Sequence, residues 1–243
     1  MQIHLTFQGN RICLPIATGE TIQGLIYRAL REDTNYSNAV HNKVSSTGDR
    51  IYKMFHFSEL KGKYTVEEKH LIYSSTVKLE IRSADAYLIR LLFQYFTKNK
   101  QVQLGRNTVE VVGLQLMNRA VSSQSAVIRT LSPITVYITE PDGHTKYYSP
   151  RDPEFYTMIY TNSKRKWVSH GGAEEQFEFK ISPYGDGDHY LSRATRFKDT
   201  YITAWHGKFL IEGNPEVLNF LYNVGLGSKN SQGFGMFEIW DKS

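Results

Sequence analysis

Apolar and polar residues alternate from Gln2 to Phe7, with Ile3, Leu5 and Phe7 on one side, the two-residue period of a half-buried strand. The period then changes. Ile22, Leu25, Ile26, Ala29 and Leu30 recur at helical spacing, and Thr18 stands where a capping hydroxyl is wanted. Ile51 to Ser58 and His70 to Ile81 are rich in β-branched and aromatic residues and predict two strands, joined through the polar Lys61-Gly62-Lys63 region as a hairpin. Ser83 is a candidate cap for a second amphipathic helix running to about Phe96, and Thr108 to Leu116 supplies a last strand. The order is β-α-β-β-α-β.

After the polar stretch Asn118 to Ser125 the same order begins again, with strands expected between Val127 and Thr139. Asp152-Pro153 and Asn214-Pro215 each put a capping residue before a proline at the first helical position, where its missing N–H costs nothing. Between these helices Gln176 to Ile181 and Tyr201 to Ile211 read as strands, and Gly235 to Trp240 follows as another. The polar segment Ser182 to Lys198 reads as a loop. The expected class is α+β, a tandem pair of ferredoxin-like domains divided as residues 1–120 and 121–243.

Composition narrows the chemistry. The 243 residues are 40% hydrophobic and 22% charged, without low-complexity runs, as in a folded chain with room for two cores. Lys and Arg number 29 against 24 Asp and Glu, a formal charge of +5 that is compatible with a polyanionic partner but common elsewhere. Cys13 is the single cysteine, so neither an intrachain disulfide nor a thiolate zinc site can be built, and a reducing compartment fits. No leader-like or membrane-spanning run is read, and the expectation is a soluble, cytoplasmic chain with no membrane partner.

Near the C-terminus Gly225-Leu226-Gly227 and Gly233-Phe234-Gly235 flank five polar residues that include Lys229. Glycine permits positive φ and close backbone approach, so such a loop can turn N–H groups toward a phosphate while Lys229 adds charge. The plainer alternative is that Gly225 ends a helix and Gly233 eases entry into a strand. The segment follows a helix and has no Gly-Lys-Ser/Thr, which argues against a nucleotide-binding loop.

This double Gly-apolar-Gly pattern resembles the signature loop of the CRISPR-associated repeat-processing endoribonucleases of the RAMP superfamily. The stretches Tyr201 to Leu221 and Leu131-Ser132-Pro133-Ile134 also look like that family's second half, so the likeness covers most of the chain. The resemblance implies paired ferredoxin-like domains and an endonuclease that cuts CRISPR repeat RNA without cofactor, leaving a 2′,3′-cyclic phosphate and a 5′-hydroxyl. An alternative of another class is a non-catalytic RNA-binding or structural subunit of a CRISPR effector complex. Repeat RNA and other effector subunits are the implied partners, with the chain a monomer or homodimer.

RNA is cut without metal when its 2′-hydroxyl attacks the adjacent phosphate, given a base, an acid and positive charge at the phosphorane. No two of the eight histidines lie within five positions of each other, so local metal-ligand pairs are missing from the sequence. His41 lies in the polar stretch Tyr36 to Asp49 beyond the first helix, and an imidazole there can exchange protons near neutral pH. Tyr27 points away from the apolar stripe of its helix, and Gln23-Gly24-Leu25-Ile26-Tyr27 looks like the family's helix with its active-site tyrosine. Lys53, with Arg50 as its rival across the loop Ser45 to Asp49, is the candidate cation. His56, odd-spaced from Lys53, is expected to face the other side of the strand as a structural residue. The resemblance makes His41, Tyr27 and Lys53 the catalytic set and Gly225, Gly227, Lys229, Gly233 and Gly235 the RNA-gripping loop. Arg193, Arg196 and Lys198, with Tyr184, Tyr190 and Phe197 for stacking, and the cluster Lys164-Arg165-Lys166 are further candidates for RNA contact.

Overall fold

Two antiparallel sheets, each with its own apolar core, organise the chain. A computed structural model describes residues 1–42, 53–185 and 190–240. The first half runs β1 (Gln2–Gln8), β2 (Ile12–Pro15), α1 (Gly19–Leu30), α2 (Thr34–Asn42), β3 (Phe55–Phe57), β4 (Tyr64–Glu67), β5 (His70–Tyr73), β6 (Thr76–Ser83), α3 (Ala86–Lys98), β7 (Gln101–Leu104) and β8 (Asn107–Met117). The second runs β9 (Ser125–Thr130), β10 (Tyr137–Thr139), β11 (Thr145–Tyr147), α4 (Pro153–Ser169), β12 (Phe179–Pro183), β13 (Leu191–Phe197), β14 (Thr200–His206), β15 (Lys208–Gly213), α5 (Pro215–Val224) and β16 (Phe237–Ile239).

The first sheet has the order β3-β6-β1-β8-β7 and the second β12-β15-β9-β16. Without β7, both place the second, third, first and fourth strands of a β-α-β-β-α-β unit side by side. The fold is a tandem pair of ferredoxin-like halves. The stripe of α1 read from the sequence, Ile22 to Leu30, is the buried face of that helix. Asn214 caps α5 by accepting from the Glu216 N–H at 2.9 Å. Asp152 starts α4 without capping it, because its carboxylate turns back to accept from Ser149. Thr18 likewise precedes α1 without a side-chain cap.

Several expected elements are shorter or differently joined. The strand expected from Ile51 to Ser58 is β3 alone among the described residues, so Lys53 precedes it and Arg50 and the loop 45–49 lie outside the described residues. His70 to Ile81 is two strands: β5 turns back on β4, and β6 pairs with β1 and β3. Ser83 does not cap α3. Its hydroxyl donates to the Met54 carbonyl, and Asp85 caps the helix through the Tyr87 and Leu88 N–H groups. The polar segment Ser182 to Lys198 is not all loop, since β13 pairs with β14 as a hairpin. Tyr201 to Ile211 breaks at Gly207, where a side chain would meet the Tyr190 ring. Among the described residues no helix is long and apolar enough to cross a membrane.

The halves are sewn together by buried polar groups. Arg82, 1% exposed, donates to the Phe237 carbonyl at 2.7 Å and stacks 3.7 Å from the centre of the Tyr222 ring, with Glu80 at 2.6 Å balancing its charge. Gln23 of α1 donates to the Ser231 carbonyl at 2.7 Å, fixing the glycine-rich loop against the first half.

Candidate functional site

A cavity of about 550 Å3 opens where α1 faces the glycine-rich loop, lined by Tyr27 and Lys53 on one side and by residues 227–232 on the other. Lys53, Lys198 and Lys229 all line it, and no carboxylate does among the described residues. Such a wall favours an anion over a metal cation.

Tyr27 is half-buried on α1, its ring edge against Phe55 at 6.2 Å. Lys53 Nζ donates to the Tyr27 hydroxyl at 2.7 Å and lies 5.0 Å from the ring centre. Two candidates read 26 positions apart thus form one hydrogen-bonded pair. The polar stretch carrying His41 is not a loop from its start: α2 covers Thr34–Asn42. Asp33 opens this helix by accepting from the Tyr36 N–H, and Tyr87 donates to the same carboxylate at 2.7 Å. Tyr36 donates to Asp85 in return, which pins α2 to the start of α3. His41 falls in the last turn of α2, with its side chain outside the described residues.

The glycine-rich loop has an inner and an outer face. Gly225, Gly227, Gly233 and Gly235 all have positive φ. A side chain on Gly225 would meet His56 and Asn230, one on Gly233 would meet Phe57, and one on Gly235 would meet the Leu226 carbonyl. Gly227 and Lys229 are the two expected loop residues that line the cavity. Lys229 also has positive φ, and its ammonium lies 4.9 Å from the centre of the Tyr137 ring. His56 is buried beneath the loop and bonded to the Tyr222 carbonyl at 3.2 Å, and burial first, then the charges of Arg82 and Lys166, holds its pKa well below the ordinary value.

Residues 116–239, just over half of the chain, match the family described as "CRISPR associated protein Cas6, C-terminal". The chain belongs to the Cas6 family. A CRISPR-associated endoribonuclease Cas6 from Pyrococcus furiosus is 28% identical over 226 residues, 90% of this chain and 80% of that protein. Another from Methanocaldococcus jannaschii is 25% identical over 82% of each. The solved structure of a Cas6-related protein from Pyrococcus furiosus superposes with a TM-score of 0.83 at 20% identity, covering 100% of this chain and 99% of that one.

Within this Cas6 chain the other basic candidates separate. Arg193 on β13 donates to Glu59 at 2.6 Å, and His206 lies 3.6 Å from the same carboxylate. Burial alone would raise the Glu59 pKa, but these two partners outweigh it and leave it low. Arg196 is exposed and bonded to the Lys198 carbonyl at 2.9 Å. Neither arginine lines the cavity, whereas Lys198 does. The expected surface cluster Lys164-Arg165-Lys166 is corrected at its last member: Lys166 is 2% exposed, because three consecutive helical residues point in three directions. Phe197 is largely buried, yet it too lines the cavity. Asn162, Tyr137 and Gln232 also line the cavity, and sequence spacing carried no signal for them because three separate elements bring them together.

Proposed function

We propose that this Cas6 protein is an endoribonuclease that cuts CRISPR repeat RNA (pre-crRNA) without a metal, by attack of the 2′-oxygen on the adjacent phosphorus. The 2′-hydroxyl loses its proton to a base, the P–O5′ bond breaks, and the departing 5′-oxygen takes a proton. The products are a 2′,3′-cyclic phosphate and a 5′-hydroxyl. His41 is the proton-transfer group, and Tyr27 and Lys53 act at the phosphate. A phenol whose oxygen accepts from an ammonium is a stronger O–H donor, and the ammonium offsets the charge that grows on the phosphorane. Residues 1–120 form the domain carrying these groups, and residues 121–243 the domain whose loop holds the RNA backbone.

The observation that carries this reading is the Lys53–Tyr27 pair at 2.7 Å, sharing with Gly227 and Lys229 a cavity that no carboxylate lines among the described residues. Among the described residues the N–H groups of Gly227 and Lys229 have no internal acceptor, which suits the oxygens of a backbone phosphate. Mass spectrometry of the fragments from a repeat RNA tests it. A cyclic phosphate on the upstream fragment is expected. Upstream 3′-hydroxyl with downstream 5′-phosphate would mean attack by water, and tight repeat binding without cutting would make the chain a binding subunit instead.

A further inference from the structure

Lys164, Arg165 and Lys166 are consecutive on α4, yet only the first two meet solvent. Lys164 pairs with Glu174 at 2.8 Å, Arg165 is exposed, and Lys166 is enclosed beneath the glycine-rich loop. Its ammonium donates to the carbonyls of Gly225 at 2.6 Å and Gly227 at 3.2 Å and to Asn230 Oδ1 at 3.0 Å. A neutral amine has two N–H bonds and cannot serve three acceptors, so the arrangement is built for the cation. No carboxylate acts on it among the described residues. A buried charge so placed is costly, and the three inward-turned acceptors are what make it tolerable.

Asn230 extends the reach of this cation. While its Oδ1 accepts from Lys166, its Nδ2 donates to the carbonyls of Leu226 at 2.9 Å and Phe234 at 3.0 Å, tying the two Gly-apolar-Gly triplets together. The Leu226 carbonyl belongs to the same peptide group as the Gly227 N–H. A line of aligned dipoles therefore runs from Lys166 through the Asn230 amide to the N–H of Gly227, a cavity-lining residue whose N–H has no internal acceptor among the described residues, and each link strengthens the next by about 10–30%.

We propose that Lys166 is a positioning residue for RNA cleavage, its buried ammonium holding the glycine-rich loop in the form that presents Gly227 and Lys229 to the RNA backbone. The inference rests on the RNA reading of the cavity. Burial pulls the Lys166 pKa down to about 7, so the cation is lost as pH rises through neutrality. His56, across Gly225 from Asn230, is the titratable group facing the loop from β3, and its depressed pKa keeps it neutral throughout that range.

The test uses Lys166→Met and the wild-type protein, with amide hydrogen exchange of residues 225–235 in the absence of RNA and repeat-RNA affinity between about pH 6 and about pH 9. Affinity is measured in a His41→Ala background, which removes that histidine's titration and slows turnover. Lys166→Met leaves three buried acceptors without a donor, so it should melt lower than wild type, exchange its loop amides about tenfold faster and bind RNA about tenfold more weakly, equivalent to about 1.4 kcal/mol. Wild-type affinity should fall as pH rises through about 7, and the variant's should not. Unchanged loop exchange overturns the role of Lys166. Should the variant fail to fold, a wild-type affinity that is flat across the range overturns it instead. Faster loop exchange in a protein that, even as wild type, does not bind repeat RNA overturns the RNA reading of the cavity and the inference with it.

Discussion

Gly235→Ala asks whether the glycines of the loop serve the fold before they serve RNA. At φ +78° a methyl group on this residue would sit 1.9 Å from the Leu226 carbonyl oxygen and 2.7 Å from Asn230 Nδ2. The two limbs must then part. Parting breaks the hydrogen bond from the Leu226 N–H to the Gly235 carbonyl, 2.9 Å long, and strains the bond from Asn230 to Leu226. Each is worth about 1 kcal/mol net. A left-handed conformation costs alanine roughly 1–2 kcal/mol more. The sum, about 3–4 kcal/mol, corresponds to a fall in Tm of roughly 10 °C for a chain of this size. Thermal unfolding measures it, with Gly24→Ala as the control. Gly24 lies inside α1 with nothing within 4 Å of a new methyl, so that change should stabilise by about 0.5–1 kcal/mol. If Gly235→Ala melts within about 2 °C of wild type, under 1 kcal/mol, the described loop geometry is wrong.

Lys53→Met should lower the single-turnover rate on repeat RNA about 10²-fold with an unchanged melting curve, and retained rate would remove Lys53 from the site. His41→Ala should lose about 10²-fold or more in the same assay while RNA affinity stays within a few-fold, and an equal loss in both would make His41 a binding group. Lys229→Ala should weaken RNA binding and flatten its salt dependence by about one charge, and equal slopes in a salt series would show that this lysine meets no phosphate. His56 is buried neutral with its pKa depressed below 6.5, so the unfolded chain binds the extra proton as pH falls. Stability is then lost below about pH 6.5 at up to about 1.4 kcal/mol per unit, and urea unfolding of His56→Gln, which keeps an N–H for the Tyr222 carbonyl, should lack that share of the loss.

The helices and the duplicated order were legible because their apolar faces repeat at fixed periods, as in the stripe from Ile22 to Leu30. The small hairpins were not, since β13 mixes Arg193, Thr195 and Arg196 with few apolar residues and looks like solvated loop. Tyr27 and Lys53 were reached through family likeness, and their contact arises from tertiary packing of α1 beside the entry to β3. The charged run conceals the burial of Lys166 for a physical reason. A lysine in a charged run is normally solvated, and only the inward-turned carbonyls of a distant loop make a buried ammonium tolerable here.

The central claim is that the RNA supplies its own nucleophile in the cavity between Tyr27, Lys53 and the glycine-rich loop. Single-turnover cleavage of a repeat RNA in EDTA, with and without a 2′-deoxy nucleotide immediately before the cut, tests it most directly. The intact RNA should be cut at an undiminished rate and the substituted RNA left whole. Cutting of the 2′-deoxy substrate, or a rate that returns only when magnesium is added, would contradict the account.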